Sequence, residues 1–134
     1  MTFRTGNQFH FCAGHQLTKV GPTYKCARLH GHNYIVEVVA EATQLTQKGW
    51  VVDFADLRQI QAWVEDNWDH RVLNDLWPFN TGVETTAENI ARALLNISRN
   101  HLGLPITRVR VWESPDSWAE AEWTSEDAND TNSH

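Results

Sequence analysis

The hydrophobic pattern changes its period twice along the chain, and this limits the fold to one that combines strands with helices. Apolar residues alternate within residues 3–13, and residues 34–42 are rich in Val, so both segments are typical of strands with a buried face. We expect these two strands to form an antiparallel pair. The apolar residues of 57–68 instead recur on one face of a helix, with Asp53 placed to cap its free amide groups.

The rest of the chain returns from helix to strand. Thr85 and Glu88 have the spacing of a capping box, which predicts a second helix that ends near Gly103. Residues 106–112 and 118–124 are typical of two further strands joined by a Ser-Pro-Asp turn. The predicted order is strand, strand, helix, helix, strand, strand, which is an α+β fold.

The length of 134 residues predicts a single domain, because it allows one sizeable core and not two. We expect residues 1–124 to form this domain and residues 125–134, which are strongly polar, to be a disordered tail. The sequence has no apolar run near the roughly 20 residues of a membrane-spanning helix, and its first residues do not resemble a secretory signal. A soluble, cytoplasmic protein that does not engage membranes is therefore expected.

Charge and cysteine content narrow the class of protein further. The net charge of −6 argues against general nucleic-acid binding, which requires clustered Lys and Arg. In a reducing compartment the two cysteines, Cys12 and Cys26, are expected to remain thiols. Cys12 lies on the first predicted strand and is interpreted as a small buried hydrophobic residue.

Three histidines are candidate metal ligands. Alternate residues of an extended segment point to the same side, so His30 and His32 can bind one ion. His15 ends the first strand, and pairing of the two strands would bring it close to the other two. Three neutral nitrogens would hold Zn²⁺ and leave its fourth position open, as in catalytic zinc sites. The alternative is that these are ordinary histidines, which is the usual explanation of an isolated His-x-His pair.

Cys26 lies four residues before His30 and allows two interpretations. A nearby cation would favour the thiolate, which is the form that acts as a base or nucleophile. Alternatively the sulfur is a fourth ligand that closes the site and makes the zinc structural.

Two further features are candidates for chemistry. Asp69 and His70 are adjacent and can form a carboxylate–imidazole pair that transfers protons near neutral pH, although Asp-His dipeptides are common. Glu113 ends an apolar strand, where it can accept two parallel hydrogen bonds from a guanidine-like group or be simply solvated.

Several motifs in the same order resemble the family of 6-pyruvoyl-tetrahydropterin synthase and 6-carboxytetrahydropterin synthase. The matching segments are Phe11-Cys12-Ala13-Gly14-His15, Cys26 to His32, Val52-Asp53-Phe54, Asp69-His70 with Leu73-Asn74, Thr86-Ala87-Glu88-Asn89 and Val111-Trp112-Glu113-Ser114. Gly14 stands where the family has Ala, and Thr85 where it often has Pro.

The resemblance implies a tunnelling fold, in which a four-stranded antiparallel sheet carries two helices on one face. It implies zinc bound by three histidines, three catalytic residues and one residue that anchors the pterin. In this chain these are His15, His30 and His32 for zinc, Cys26, Asp69 and His70 for catalysis, and Glu113 for the pterin. It also implies a homo-oligomer, in which three subunits form a barrel and two such rings stack into a hexamer with sites at the interfaces.

The implied activity is that of a zinc-dependent lyase acting on 7,8-dihydroneopterin triphosphate. The products would be 6-carboxy-5,6,7,8-tetrahydropterin, acetaldehyde and triphosphate, a step of queuosine and other 7-deazapurine biosynthesis. The interval between Cys26 and His30 resembles the carboxy-forming branch more than the pyruvoyl-forming one, whose interval is longer. Lys25 and Arg28 are candidates for binding the phosphates, as are Lys19 and Arg71, with solvated surface charge as the alternative for each. Alternative functions are a pyruvoyl-forming lyase and a non-catalytic, zinc-stabilised binding module.

Overall fold

A computed structural model describes residues 1–129 of the chain, and its centre is a five-stranded mixed sheet in the order β3-β1-β2-β4-β5. The strands are β1 (Phe3–His15), β2 (His30–Ala42), β3 (Arg71–Val72), β4 (Ile106–Ser114) and β5 (Ser117–Glu122). The four longer strands form antiparallel pairs, whereas β3 pairs in parallel with β1 at Ala13 and Gly14. The predicted four-stranded, purely antiparallel sheet is therefore wrong, because a two-residue strand leaves no periodic pattern in the sequence.

Three α-helices occur in the described part of the chain. They are α1 (Phe54–Asn67), α2 (Ala87–Asn96) and α3 (Ser125–Asn129), and α2 continues into a π-helical turn over Ile97–His101. Short 3-10 helices occupy Lys25–Ala27, Leu73–Asp75 and Phe79–Thr81. Helix α3 lies where the sequence predicted part of a disordered tail, and the remainder of that prediction, residues 130–134, lies outside the described residues. The short α3 has a local explanation, since Asp127 accepts hydrogen bonds from the backbone amide and hydroxyl of Thr124 at 2.8 and 3.0 Å.

The helix starts differ in how well the sequence predicted them. The Asp53 side chain accepts a hydrogen bond from the amide of Ala55 at 2.9 Å, so its predicted capping role is confirmed. For α2 the cap is Thr86, whose hydroxyl accepts from the amide of Asn89 at 3.2 Å, and the assignment to Thr85 was wrong by one residue. Thr85 is instead fully buried and faces the histidine cluster described below.

The core lies on one face of the sheet, beneath α1 and α2. It is formed by the inward residues of β1, β2 and β4 and by the apolar faces of the two helices. Members include Phe9, Phe11, Tyr34, Val36, Leu57, Ile60, Val64, Trp68, Ile90, Leu94, Val109 and Val111. The opposite face of the sheet is polar and carries cross-strand ion pairs such as Arg108 with Glu37 at 3.1 Å and Arg110 with Glu120 at 2.9 Å. Helix α1 is the longest of the described helices at 14 residues, and none of them has the length and apolar character needed to cross a bilayer.

Candidate functional site

The register of β1 against β2 brings three imidazoles together. The two strands pair without interruption from Phe3 with Ala42 to His15 with His30, and His32 pairs with Ala13 one step further along the same face. One ring nitrogen from each of His15, His30 and His32 lies within 4.8 Å of the others. The three histidines that the sequence spacing and the expected hairpin predicted to be neighbours therefore do lie together in the structure.

Backbone carbonyl groups fix the orientation of two of these rings. Nδ1 of His15 lies 2.8 Å from the carbonyl oxygen of Thr85, and Nδ1 of His30 lies 2.7 Å from that of Arg28. A carbonyl oxygen only accepts hydrogen bonds, so both Nδ1 atoms carry a proton, and in the neutral form of each ring the lone pair is on Nε2. A carbonyl group opposite the coordinating nitrogen is the usual outer partner of a metal-bound histidine.

Two nitrogens of the cluster are buried and make no hydrogen bond within residues 1–129. They are Nε2 of His15 and Nε2 of His32. Burial is the largest influence on both rings and lowers the pKa of His15 and the pKa of His32, although the nearby Glu113 carboxylate acts in the opposite direction. Neutral imidazoles with free, buried Nε2 atoms are costly by themselves and suit a divalent metal such as zinc.

Glu113 lies beside the position that an ion would occupy. It continues the inward face of Val109 and Val111 and sits where the β4–β5 register shifts, a change that redirects side chains. Its Oε1 is 3.5 Å from Nε2 of His15 and 3.8 Å from Nε2 of His32. The side chain is 35% exposed, so the carboxylate faces both the cluster and solvent.

Tyr34 closes the inner wall of the cluster. Its ring packs edge-on against His32, with the ring centroids 5.4 Å apart, and its hydroxyl is buried with no partner in the described residues. Burial and the charge of Glu113 raise the pKa of Tyr34, so it remains a neutral phenol at physiological pH. Tyr34 therefore contributes an aromatic wall to one side of the cluster.

Asp69 and His70 form the predicted carboxylate–imidazole pair. Oδ2 of Asp69 lies 2.9 Å from Nδ1 of His70, and both residues are held by the backbone of Cys12. The Cys12 amide donates to Oδ1 of Asp69 at 2.9 Å, and the Cys12 carbonyl accepts from the His70 amide at 2.6 Å. The hydrogen bond from the Cys12 amide is the largest of the effects that lower the pKa of Asp69. The carboxylate therefore stays ionised.

The Asp69–His70 pair and the histidine cluster belong to opposite faces of β1. Ala13 and His15 face the core, whereas Cys12 faces the polar side, where its thiol lies 2.9 Å from Oδ1 of its cross-strand partner Asn33. The structure groups Asp69 and His70 with Cys12 and not with the three imidazoles. Cys12 is only partly buried and makes a polar contact, so its interpretation as a buried hydrophobic residue was wrong.

Cys26 is exposed on the 3-10 helix Lys25–Ala27 and is not a member of the convergent histidine group. Lys25 and Arg28 are exposed on the same loop. In this structure the thiol does not close the cluster, and the predicted roles of Cys26, Lys25 and Arg28 stay predictions.

Sequence reasoning missed the residues that anchor the start of this loop. The Asn74 side chain accepts from the Gln16 amide at 2.9 Å and donates to the Gln16 carbonyl at 2.8 Å. The Glu84 carboxylate accepts from the amides of Thr18 and Lys19 at distances between 2.7 and 3.0 Å. Asn74 belongs to a recognised motif and could have been found, whereas Glu84 gives no signal in the sequence.

Comparisons with known proteins give matches over most of the chain. A family model described as 6-pyruvoyl tetrahydropterin synthase matches residues 5–123. The 6-carboxy-5,6,7,8-tetrahydropterin synthase of Haemophilus influenzae is 30% identical over 139 residues, covering 88% of this chain and 97% of that protein. The dihydroneopterin monophosphate aldolase of Pyrococcus furiosus is 34% identical over 97 residues, covering 71% of this chain and 79% of that protein.

Solved structures show the same fold. The 6-pyruvoyl tetrahydropterin synthase of Caenorhabditis elegans superposes with a TM-score of 0.79 at 23% identity, and the alignment covers 92% of this chain and 97% of that one. At this level of identity the likeness establishes the architecture and leaves the reaction to be argued from the site.

Proposed function

The chain belongs to the 6-pyruvoyl tetrahydropterin synthase family, and from this premise we propose that it is a zinc-dependent pterin lyase of the carboxy-forming branch. The substrate is 7,8-dihydroneopterin triphosphate, and the products are 6-carboxy-5,6,7,8-tetrahydropterin, acetaldehyde and triphosphate. The product enters queuosine or another 7-deazapurine pathway in the cytoplasm.

The observation that carries this proposal is the convergence of three imidazoles, one ring nitrogen of each lying within 4.8 Å of the others. Nε2 of His15 and His32 are buried and unpartnered in the described residues, and His30 is oriented by the Arg28 carbonyl. His15, His30 and His32 would hold a zinc ion there, and the ion would supply a Lewis acid that makes substrate hydroxyl groups more acidic. A set of three protein ligands is typical of catalytic rather than structural zinc.

The remaining candidate residues bind the substrate and transfer protons. The Glu113 carboxylate, beside the histidines, binds the guanidine-like edge of the pterin through two parallel hydrogen bonds. His70 moves protons, and Asp69 holds its tautomer and supports the protonated ring. Cys26 acts as the base for a side-chain proton, and Lys25 and Arg28 on the same exposed loop bind the triphosphate.

The positions of these groups favour an active site assembled from more than one subunit. In a single chain the Asp69–His70 pair lies on the polar side of β1, while the histidine cluster lies on the core side. Within residues 1–129, strand β1 is paired on its outer edge only at Ala13 and Gly14, and β5 ends the sheet at the other side. These edges leave room for the barrel of a trimer or hexamer that the family resemblance implies, in which one chain's Asp69–His70 pair would serve another chain's histidine cluster.

Two alternatives within the family are distinguished by their products and substrates. A pyruvoyl-forming lyase retains the three-carbon side chain, and the name of the Pyrococcus relative specifies a monophosphate substrate. The third alternative, a zinc-stabilised binding module, would use Cys26 to close the metal site. The exposed position of Cys26 outside the convergent group favours the lyase.

The test is a product assay on purified protein of known zinc content. Incubation with 7,8-dihydroneopterin triphosphate should release acetaldehyde together with the carboxypterin. Replacing Cys26 with Ala should abolish turnover and leave zinc content unchanged, whereas replacing His30 with Ala should lower both. Loss of zinc and unfolding of Cys26→Ala would instead identify a structural zinc, and retention of the side-chain carbons would identify the pyruvoyl-forming reaction.

A further inference from the structure

A second group of metal-ligating side chains lies on the polar side of β1, away from the three histidines. The sulfur of Cys12, a carboxylate oxygen of Asp69 and a ring nitrogen of His70 all lie within 4.8 Å of one another. The resemblance on which the proposed function rests gives the position of Cys12 no role.

The backbone holds this group in place without help from a ligand. The amide and carbonyl of Cys12 bond to Asp69 and His70 at 2.9 and 2.6 Å, so all three residues are fixed to the same point of β1. His70 has a φ of 59°, a left-handed conformation that is uncommon for a residue with a side chain. The hydrogen bonds that maintain this conformation keep the imidazole beside the thiol and the carboxylate.

The donor set suits a thiophilic divalent cation. Oδ1 of Asn33 lies 2.9 Å from the Cys12 sulfur and adds a neutral oxygen to the sulfur, nitrogen and carboxylate donors. The hydrogen bond from Cys12 keeps Asp69 ionised, because it lowers the pKa of that carboxyl. Mixed sulfur, nitrogen and oxygen donors favour Zn²⁺ and similar ions over Mg²⁺ or Ca²⁺, which take mainly oxygen ligands.

An open cavity gives a cation access to Cys12, Asn33 and His70. It has a volume of about 420 Å³, and these three residues contribute to its walls together with His32 of the histidine cluster. Its floor is the cross-strand pair Gly14 and Gly31, where neither residue has a side chain to fill the space.

We propose that Cys12, Asp69 and His70 form a second cation site for Zn²⁺ or Cd²⁺, with Asn33 as an additional oxygen donor. The site is distinct from the histidine cluster because it contains sulfur and lies on the other face of the sheet. If the proposed function holds, on which this consequence rests, a cation at this site occupies the Asp69–His70 pair and inhibits turnover.

The direct test is a cadmium titration of the full chain with zinc already bound at the histidine cluster. Cadmium bound by a thiolate gives an ultraviolet charge-transfer absorption, whereas cadmium that replaces zinc among three imidazoles does not. We expect one equivalent of cadmium to produce this absorption in the wild type and in Cys26→Ser, the matched control that removes the other thiol. Cys12→Ser should lose it. Absence of the absorption in the wild type, or its loss in Cys26→Ser with retention in Cys12→Ser, would overturn the proposal.

A second variant guards against a folding defect in Cys12→Ser. Asp69→Asn preserves the shape of the side chain and an oxygen that accepts the hydrogen bond from the Cys12 amide, but it removes the negative charge. Cadmium should therefore bind at least about tenfold more weakly than to the wild type. Unchanged affinity would contradict the proposed ligand set.

Turnover measurements separate this proposal from the proposed function. Zinc added beyond the first equivalent should slow the wild type by a larger factor than Cys12→Ser, each compared with its own rate before the addition. Equal inhibition of both would overturn the assignment to Cys12. Because the cadmium absorption is read without substrate, a protein that binds cadmium and shows no pterin turnover would refute the proposed function and leave the cation site supported.

Discussion

Two buried histidines should make the stability of the metal-free protein fall in mild acid. Burial lowers the pKa of His15 and the pKa of His32 in the folded state from the ordinary value of 6.5. In the unfolded chain both rings return to that value and take up protons as the pH falls below it. The unfolded state therefore binds more protons than the folded state, and the free energy of unfolding decreases as the pH decreases.

The size of the effect follows from the number of protons taken up. Each proton bound only by the unfolded state changes the free energy of unfolding by about 1.4 kcal/mol per pH unit. With both rings contributing, the limiting slope is about 2.7 kcal/mol per pH unit, reached below pH 6.5 while both folded rings stay neutral. The carboxyls with lowered pKa, Asp69 and Glu84, start from ordinary values of 3.8 and 4.5, so their effect begins only at lower pH.

Urea unfolding of chelator-treated protein at several pH values between about 7 and 5 measures this slope. His15→Gln should reduce it by at most about 1.4 kcal/mol per pH unit, and replacement of the exposed His101 serves as the matched control. A stability that is constant or rises as the pH falls through this range would refute the assignment of neutral, buried imidazoles. Adding zinc should raise the stability most near neutral pH, because protons compete with the metal for the same nitrogens.

Two further predictions concern the supports of the site and the core. Thr85→Val removes the hydroxyl that lies 3.1 Å from Nδ1 of His15 but keeps the Thr85 carbonyl, so zinc affinity measured by chelator competition should fall by up to about tenfold. The control Thr86→Val removes only the cap of α2, so it should lower stability by about 1 kcal/mol and leave zinc affinity unchanged. Leu94→Ala removes most of a fully buried side chain beneath the sheet and should lower the free energy of unfolding by about 2–5 kcal/mol in urea denaturation. A smaller decrease would show that the surrounding core collapses into the space.

The sequence predicted the parts of the site that depend on local spacing. His30 and His32 share a side because alternate residues of a strand do, and His15 joins them because a hairpin brings strand ends together. The Asp53 cap and the Asp69–His70 pair are likewise contacts between near neighbours in the chain.

The sequence did not predict contacts that depend on docking of distant segments. The carbonyl group that orients His15 belongs to Thr85, 70 positions away, and a carbonyl has no signature in the amino-acid sequence. The two-residue strand β3 is too short for any periodicity, yet it directs Asp69 and His70 to the polar side of β1. Cys12, expected to be a core residue, lies beside the Asp69–His70 pair as a result.

Because β1 and β2 pair in an uninterrupted register, an insertion within either strand affects the histidines differently from an insertion in the loop between the strands. One extra residue inside either strand would rotate the residues beyond it to the opposite face and scatter the imidazoles. The segment 16–29 between the strands, which carries Cys26, can gain or lose residues while His15 and His30 remain cross-strand partners. A lineage that inherits this hairpin can therefore vary the thiol-bearing loop while the three imidazoles stay together.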